Sequence, residues 1–209
     1  MFSALRSTTP LVLIFLTASI AYSQTYRDEL DQGLAAYKQS HYDEAIQHFR
    51  KATDLDPSQT TAHMYLATAY VNQYIPAVET PDNERFAEQA SEQYQYVLNS
   101  DAGGSSKPNA AKGIAYLYLN MKKFEDAKDY SGKASGFDPN DPEPYYSIGV
   151  IDWTQCYQPR MEARAGLKMS PAENLDGQRP DQKKVCDALQ AKNSGVIEDG
   201  ISNYNKAIQ

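Results

Sequence analysis

One recurring pattern limits this chain more than its composition does. Tyr42, Ala45, Phe49, Ala52 and Pro57 set an aromatic, small residues and a large apolar residue at helical spacing, then close them with a proline. Phe124, Ala127, Ala134, Asp138 and Pro139 repeat that grammar with the same aromatic-to-Ala and Ala-to-Pro intervals. Proline cannot continue a helix and biases the residue before it away from helical angles, so each Asp-Pro is a stop. Ahead of the first copy, Leu30, Gly33, Leu34 and Tyr37 fall at steps of three and four, the apolar stripe of a preceding helix. Such a chain folds as helix pairs, and one pair cannot cover its own apolar face, so neighbours must stack.

Paired small-large-small helices recurring about every 34 residues resemble the tetratricopeptide repeat. The resemblance implies an all-α fold, a superhelix of about four helix-turn-helix units spanning roughly residues 26–59, 60–102, 108–141 and 142–209. In the first, Gly33 stands where the family places a small residue between closely approaching helices. Glu29 replaces the large residue that usually opens the unit, which suits the cap of a stack. The second unit carries 11 residues beyond the period, near 73–85, where Pro76 and Pro81 indicate a loop or a short kinked helix. The third pairs 110–120 with 122–136. The fourth opens at Pro144, and its second helix follows only at 196–208, where Gly200, Tyr204 and Ala207 take the small-large-small places. The 39 residues added there form an insertion near 155–192.

Residues 1–23 read as a signal peptide: Arg6, an apolar run from Leu11 to Ile20 too short to span a bilayer, and Ala21-Tyr22-Ser23 before Gln24. Export follows, most simply to a bacterial periplasm. The only route to a membrane is this segment left uncleaved as an anchor. Its removal takes away one Arg and shifts the net charge from −7 to −8. An acidic protein of this kind is a poor nucleic-acid binder.

Stacked repeats of this family present the first helix of each unit on a concave face, and the resemblance places the partner there. The matching positions are Arg27, Tyr37, Lys38 and Asn72, then Asn109, Lys112, Tyr116 and Asn120, then Tyr146 and Trp153. Amides can bond the backbone of an extended peptide, and aromatic rings can pack on its side chains. A protein or peptide partner is therefore expected. Some members clamp a C-terminal carboxylate with Lys and Asn. Leu30 and Leu34 occupy those places here, so that clamp is absent.

The insertion carries Arg160, Arg164, Lys168, Arg179, Lys183 and Lys184, a local basic excess, and its ends hold both cysteines, Cys156 and Cys186. In an oxidising compartment these read as a disulfide, with two buried free thiols as the alternative. Enzymatic signals are weak. The three histidines fit no zinc-protease spacing, His41 and His48 read as ordinary exposed helix residues, and no phosphate-binding glycine loop or serine elbow occurs. No catalytic residue, cofactor or metal is assigned, which leaves an enzyme subunit as the third and last functional reading, behind a binding scaffold and a self-associating structural protein of the cell envelope. Ile201, Tyr204 and Ile208 leave an apolar stripe near Gln209. Either the sequence is a piece of a longer protein, or that stripe pairs with another copy or another protein, which makes self-association through this helix the second functional reading.

Overall fold

The computed structural model describes residues 25–101, 103–170, 173, 175 and 177–208. The expected signal peptide lies outside them. Regular structure among the described residues is α-helical: α1 (25–38), α2 (Tyr42–Leu55), α3 (Thr60–Gln73), α4 (Pro81–Asn99), α5 (Ser106–Asn120), α6 (Phe124–Phe137), α7 (Pro142–Gly166) and α8 (Pro180–Ala207). They form two compact units, divided after residue 102.

In the first unit, α1 and α2 meet where Gly33 lies against the fully buried ring of Phe49. A Cβ added at Gly33 would stand 2.5 Å from that ring. The helices are joined by a left-handed residue, Ser40 (φ 60°), and His41 N–H donates back to Ala36 C=O at 3.0 Å. This is a helix end that wraps its own last carbonyls. The stop at Asp56-Pro57 has a second component, since the Asp56 carboxylate accepts from the Ser58 N–H at 3.1 Å and so holds the turn. Glu29 is not idle at the start of α1: it accepts from His48 at 2.7 Å. His48 is therefore half-buried rather than exposed as its helix position suggested. Ala45, Ala52, Ala62, Ala67, Ala69 and Ala90 are fully buried, and these small side chains let α2, α3 and α4 come close.

The residues expected to be added near 73–85 divide between a connector, 74–80, and the first turns of α4. Asn83 organises that connector. Its amide donates to Ile75 C=O (2.8 Å) and Val78 C=O (2.6 Å), and its Oδ1 accepts from Ile75 N–H (2.7 Å). Thr80 caps α4 by accepting from Asn83 N–H at 3.3 Å.

The second unit repeats these local devices. Lys122 (φ 58°) joins α5 to α6 as Ser40 joins α1 to α2, with Lys123 N–H donating to Tyr118 C=O at 2.8 Å. Asp138 accepts from Asn140 N–H at 3.1 Å, as Asp56 does from Ser58. Ile114, Leu117 and Ile151 are fully buried in this unit's core. Its largest departure lies in the last pair: α7 has 25 residues and α8 has 28, against 14 each for α2 and α6. The expected insertion is therefore not a module set between two ordinary helices. It lengthens both, leaving a connector at 167–179 that begins with left-handed Lys168 (φ 53°). At the base of this hairpin a Cβ on Gly149 would meet the Tyr204 ring at 3.0 Å, the same kind of close approach as Gly33 on Phe49.

Candidate functional site

The expected partner-binding residues fall in both units, and each unit holds its own share. In the first, Tyr37 and Asn72 come together across α1 and α3: the Asn72 amide donates to the Tyr37 hydroxyl at 2.8 Å. Tyr37 also meets Tyr42 edge-on, with ring centroids 5.5 Å apart. Arg27 and Lys38 are exposed on α1. In the second unit Asn109 is exposed, and the Asn120 amide donates to Tyr116 C=O of its own helix at 2.8 Å.

Lys112 has a structural task. Its ammonium lies 2.9 Å from Asp141 and 2.8 Å from Glu143, tying α5 to the start of α7, where Asp141 also caps the helix by accepting from Glu143 N–H. The hydrogen bond from Lys112 holds the Asp141 carboxyl below its ordinary range. Lys112 itself is raised by both carboxylates, against the effect of its own burial.

The exposed aromatics of the second unit are the more pointed arrangement. Tyr116 on α5 and Tyr146, Trp153 and Tyr157 on α7 are all exposed. Trp153 is 62% and Tyr157 44% accessible, stacked on each other at 5.7 Å and 29°. Tyr146 leans edge-on against Tyr204 of α8. Trp153 and Tyr157 stand at one wall of an apolar cavity of about 620 Å³ between α7 and α8, whose other sides include Leu189, Val196, Ile201 and Tyr204.

Asp152 also lines this cavity and is 1% exposed. Its Oδ1 accepts from the Lys128 ammonium of α6 at 2.7 Å, and its Oδ2 has no partner among the described residues. Burial pushes the Asp152 carboxyl up; Lys128 opposes that shift, and the Asp199 and Glu125 carboxylates add to it. Lys128 is raised in turn by its hydrogen bond to Asp152, although its own burial works the other way.

Cys156 and Cys186 line the same cavity from α7 and α8, and both are free thiols. The structure therefore carries no bridge between them, and the expected pairing stays a matter for thiol labelling. Burial pushes the Cys156 thiol up, and the Cys186 thiol donates to Leu175 C=O of the connector at 3.8 Å. The arginines of the basic excess are engaged within this region, while Lys168 and Lys184 are exposed. Arg160 donates to Leu175 C=O (3.0 Å) and Arg164 to Ser170 C=O (2.9 Å), while Arg179 pairs with Glu173 and Asp181. These residues fasten the connector to the hairpin.

Asp152 and Tyr157 are the site residues that sequence reasoning missed, and Tyr204 was read only as a repeat position in an apolar stripe on the last helix. A signal was present: Gly149, Asp152 and Cys156 share one helical stripe beside Ile148 and Ile151, which puts a carboxylate among core residues. A second depression, of about 700 Å³ in the first unit, is polar, and its groups satisfy one another: His63 bonds Gln93 at 2.7 Å and Pro57 C=O at 3.0 Å.

Residues 33–73 match a family model described as TPR repeat, and residues 113–141 one described as Tetratricopeptide repeat. The fold is tetratricopeptide-like. Among solved structures, the first TPR of Spaghetti (RPAP3) bound to the HSP90 peptide SRMEEVD superposes with a TM-score of 0.53 at 21% identity, over 64% of this chain and 94% of that one. MamA gives 0.53 at 13%, over 89% and 91%. YrrB, described as a TPR protein with an unusual peptide-binding site, gives 0.50 at 15%, over 92% and 90%. No curated protein matches the chain. The tetratricopeptide-like fold explains why Tyr116, Tyr146 and Trp153 belong to α5 and α7, the first helices of their pairs. Among the described residues no group of His, Cys, Asp or Glu is arranged to hold a metal ion, and no helix is long and apolar enough to cross a membrane.

Proposed function

We propose that this protein is an exported scaffold that holds an extended segment of a partner protein, with the exposed aromatics of α5 and α7 as its principal contacts. The observation that carries the reading is the Trp153–Tyr157 stack, two large rings left in water at the wall of an apolar cavity. Aromatic side chains bring large contact area at low conformational cost and are over-represented among residues that dominate binding energy. The RPAP3 and YrrB structures, described as peptide-bound and peptide-binding, support a peptide as the kind of partner for this fold. Export rests on Arg6, the Leu11–Ile20 run and the Ala21-Tyr22-Ser23 site, and intact mass of the secreted protein should begin at Gln24. The binding reading is tested by crosslinking in the native envelope, mass spectrometry of what is captured, and affinity of that partner for Tyr116→Ala and Trp153→Ala. Each is expected to weaken binding by about 1–3 kcal/mol without loss of helicity. Unchanged affinity in both would move the site away from these helices.

Self-association is the second reading, favoured by Ile201 and Ile208 on and just beyond α8, the latter 81% exposed. A monomer by sedimentation over a hundredfold concentration range would remove it.

A further inference from the structure

The α7–α8 cavity has one chemical peculiarity that exposed aromatic rings do not account for. An ionised carboxylate accepts hydrogen bonds at both oxygens, and a buried one left half-satisfied is costly. Asp152 satisfies Oδ1 with Lys128 and leaves Oδ2 bare, although the side chain is 1% exposed. Oδ2 lies beside Gly200, another lining residue: a Cβ built there would stand 3.7 Å from it. Oδ2 itself is closed to solvent, so a ligand's donor reaches it only if the wall at Gly200 yields.

We infer that this cavity is the anchor pocket of the proposed partner-binding site, and that it selects an aromatic side chain ending in a hydrogen-bond donor, the tyrosine phenol or tryptophan indole of the partner. The inference rests on the partner-binding reading and adds the identity of the residue bound. Three features of the pocket select that chemistry. Trp153 and Tyr157 offer flat apolar faces at the wall, which favour a ring over a branched aliphatic chain. The volume, about 620 Å³, exceeds what one ring fills and leaves space for flanking residues of an extended segment. The donor is an uncharged one because the Lys128 ammonium already balances Asp152 and the Arg160 guanidinium stands in the same wall. A second cation would have to share Asp152 with the Lys128 ammonium, whereas a neutral O–H or N–H completes the carboxylate without adding charge.

The test uses the intact mature protein and the fluorescence of Trp153, the sole tryptophan. The first comparison titrates p-cresol against toluene, the same ring with and without the hydroxyl. The second titrates short capped peptides that differ only in a central Tyr, Phe or Lys. p-Cresol is expected to bind about tenfold more tightly than toluene, and the Tyr peptide about tenfold more tightly than the Phe or Lys peptide. Val196→Phe, which narrows the cavity from α8, should weaken both responses at least tenfold, with circular dichroism unchanged. Equal binding of cresol and toluene overturns the donor requirement, and a preference for the Lys peptide overturns the choice of an uncharged group. Cresol binding without Tyr-peptide binding overturns the anchor role and leaves a small-molecule site. In each of these cases a crosslinked partner that still depends on Tyr116 and Trp153 keeps the scaffold reading intact.

Discussion

Replacing a helical glycine by alanine ordinarily stabilises a helix, and this chain should show both that rule and its reversal. Gly132 on α6 has open space where a Cβ would stand, so Gly132→Ala should gain about 0.5–1 kcal/mol from backbone entropy alone. Gly33 has the same intrinsic gain available, but its new methyl would sit 2.5 and 2.6 Å from two atoms of the Phe49 ring. Phe49 is fully buried and stacked on Tyr65 at 5.5 Å, so the ring cannot swing into solvent. Forcing it aside, or parting α1 from α2, costs about 1–3 kcal/mol or more, as overpacking does elsewhere. The two effects oppose each other, and the packing term wins by about 1–2 kcal/mol. Gly149→Ala should fall between, since its closest contacts with Tyr204 are at 3.0 Å and that ring is only half-buried. Denaturant midpoints followed by far-UV circular dichroism would read the series. Trp153 fluorescence would not, because it reports only the second unit. A Gly33→Ala protein as stable as Gly132→Ala would refute the close helix approach.

Three further outcomes follow from the ion pairs and thiols. Lys128→Met strands the buried Asp152 carboxylate and should cost about 3 kcal/mol at neutral pH. Because Asp152 already titrates above its ordinary 3.8, the loss should shrink as pH falls through its raised folded value, and a penalty that stays constant down the acid limb would contradict this. Asp141 is shifted the other way, so its bond to Lys112 contributes stability above the ordinary carboxylate pKa that is lost as pH falls below 3.8; Asp141→Asn should flatten that acid limb of the melting curve. Thiol labelling of the denatured, unreduced mature protein should modify both Cys156 and Cys186, and a protected pair would show that a bridge forms after all.

The helix pairs were legible in the sequence because their signals are local. Tyr42 to Leu55 is bounded by a turn and an Asp-Pro stop, and its two alanines, Ala45 and Ala52, end fully buried. Gly33 was legible for the same reason, since the residue it needs to face lies one helix away. The last pair was harder. Its second helix begins at Pro180, well before the small-large-small positions at Gly200 and Tyr204, and nothing in a 34-residue period tells where an added segment turns. The positions of Tyr116, Tyr146 and Trp153 on first helices were readable from the period. Lys112 was not, because its carboxylate partners belong to the next pair. The cavity was also hidden, since much of its wall (Tyr157, Arg160, Leu175, Cys186, Leu189) lies beyond the period that predicted the two helices.

That length has a consequence for how the chain can vary. The contacts that hold α7 against α8 in repeat register, Gly149 on Tyr204 and Gly200 on Asp152, sit at the base of the hairpin. Cys156, Tyr157, Arg160, Leu175, Cys186 and Leu189 all lie toward the tip, on residues that an ordinary repeat does not possess. The cavity thus spans both stretches of the same two helices, with Asp152, Trp153 and Tyr204 at the base and Tyr157, Leu175 and Leu189 toward the tip. Substitutions in the tip alter what the cavity admits while the base goes on serving the neighbouring pair. A chain built in this way can exchange one partner for another without renegotiating its fold.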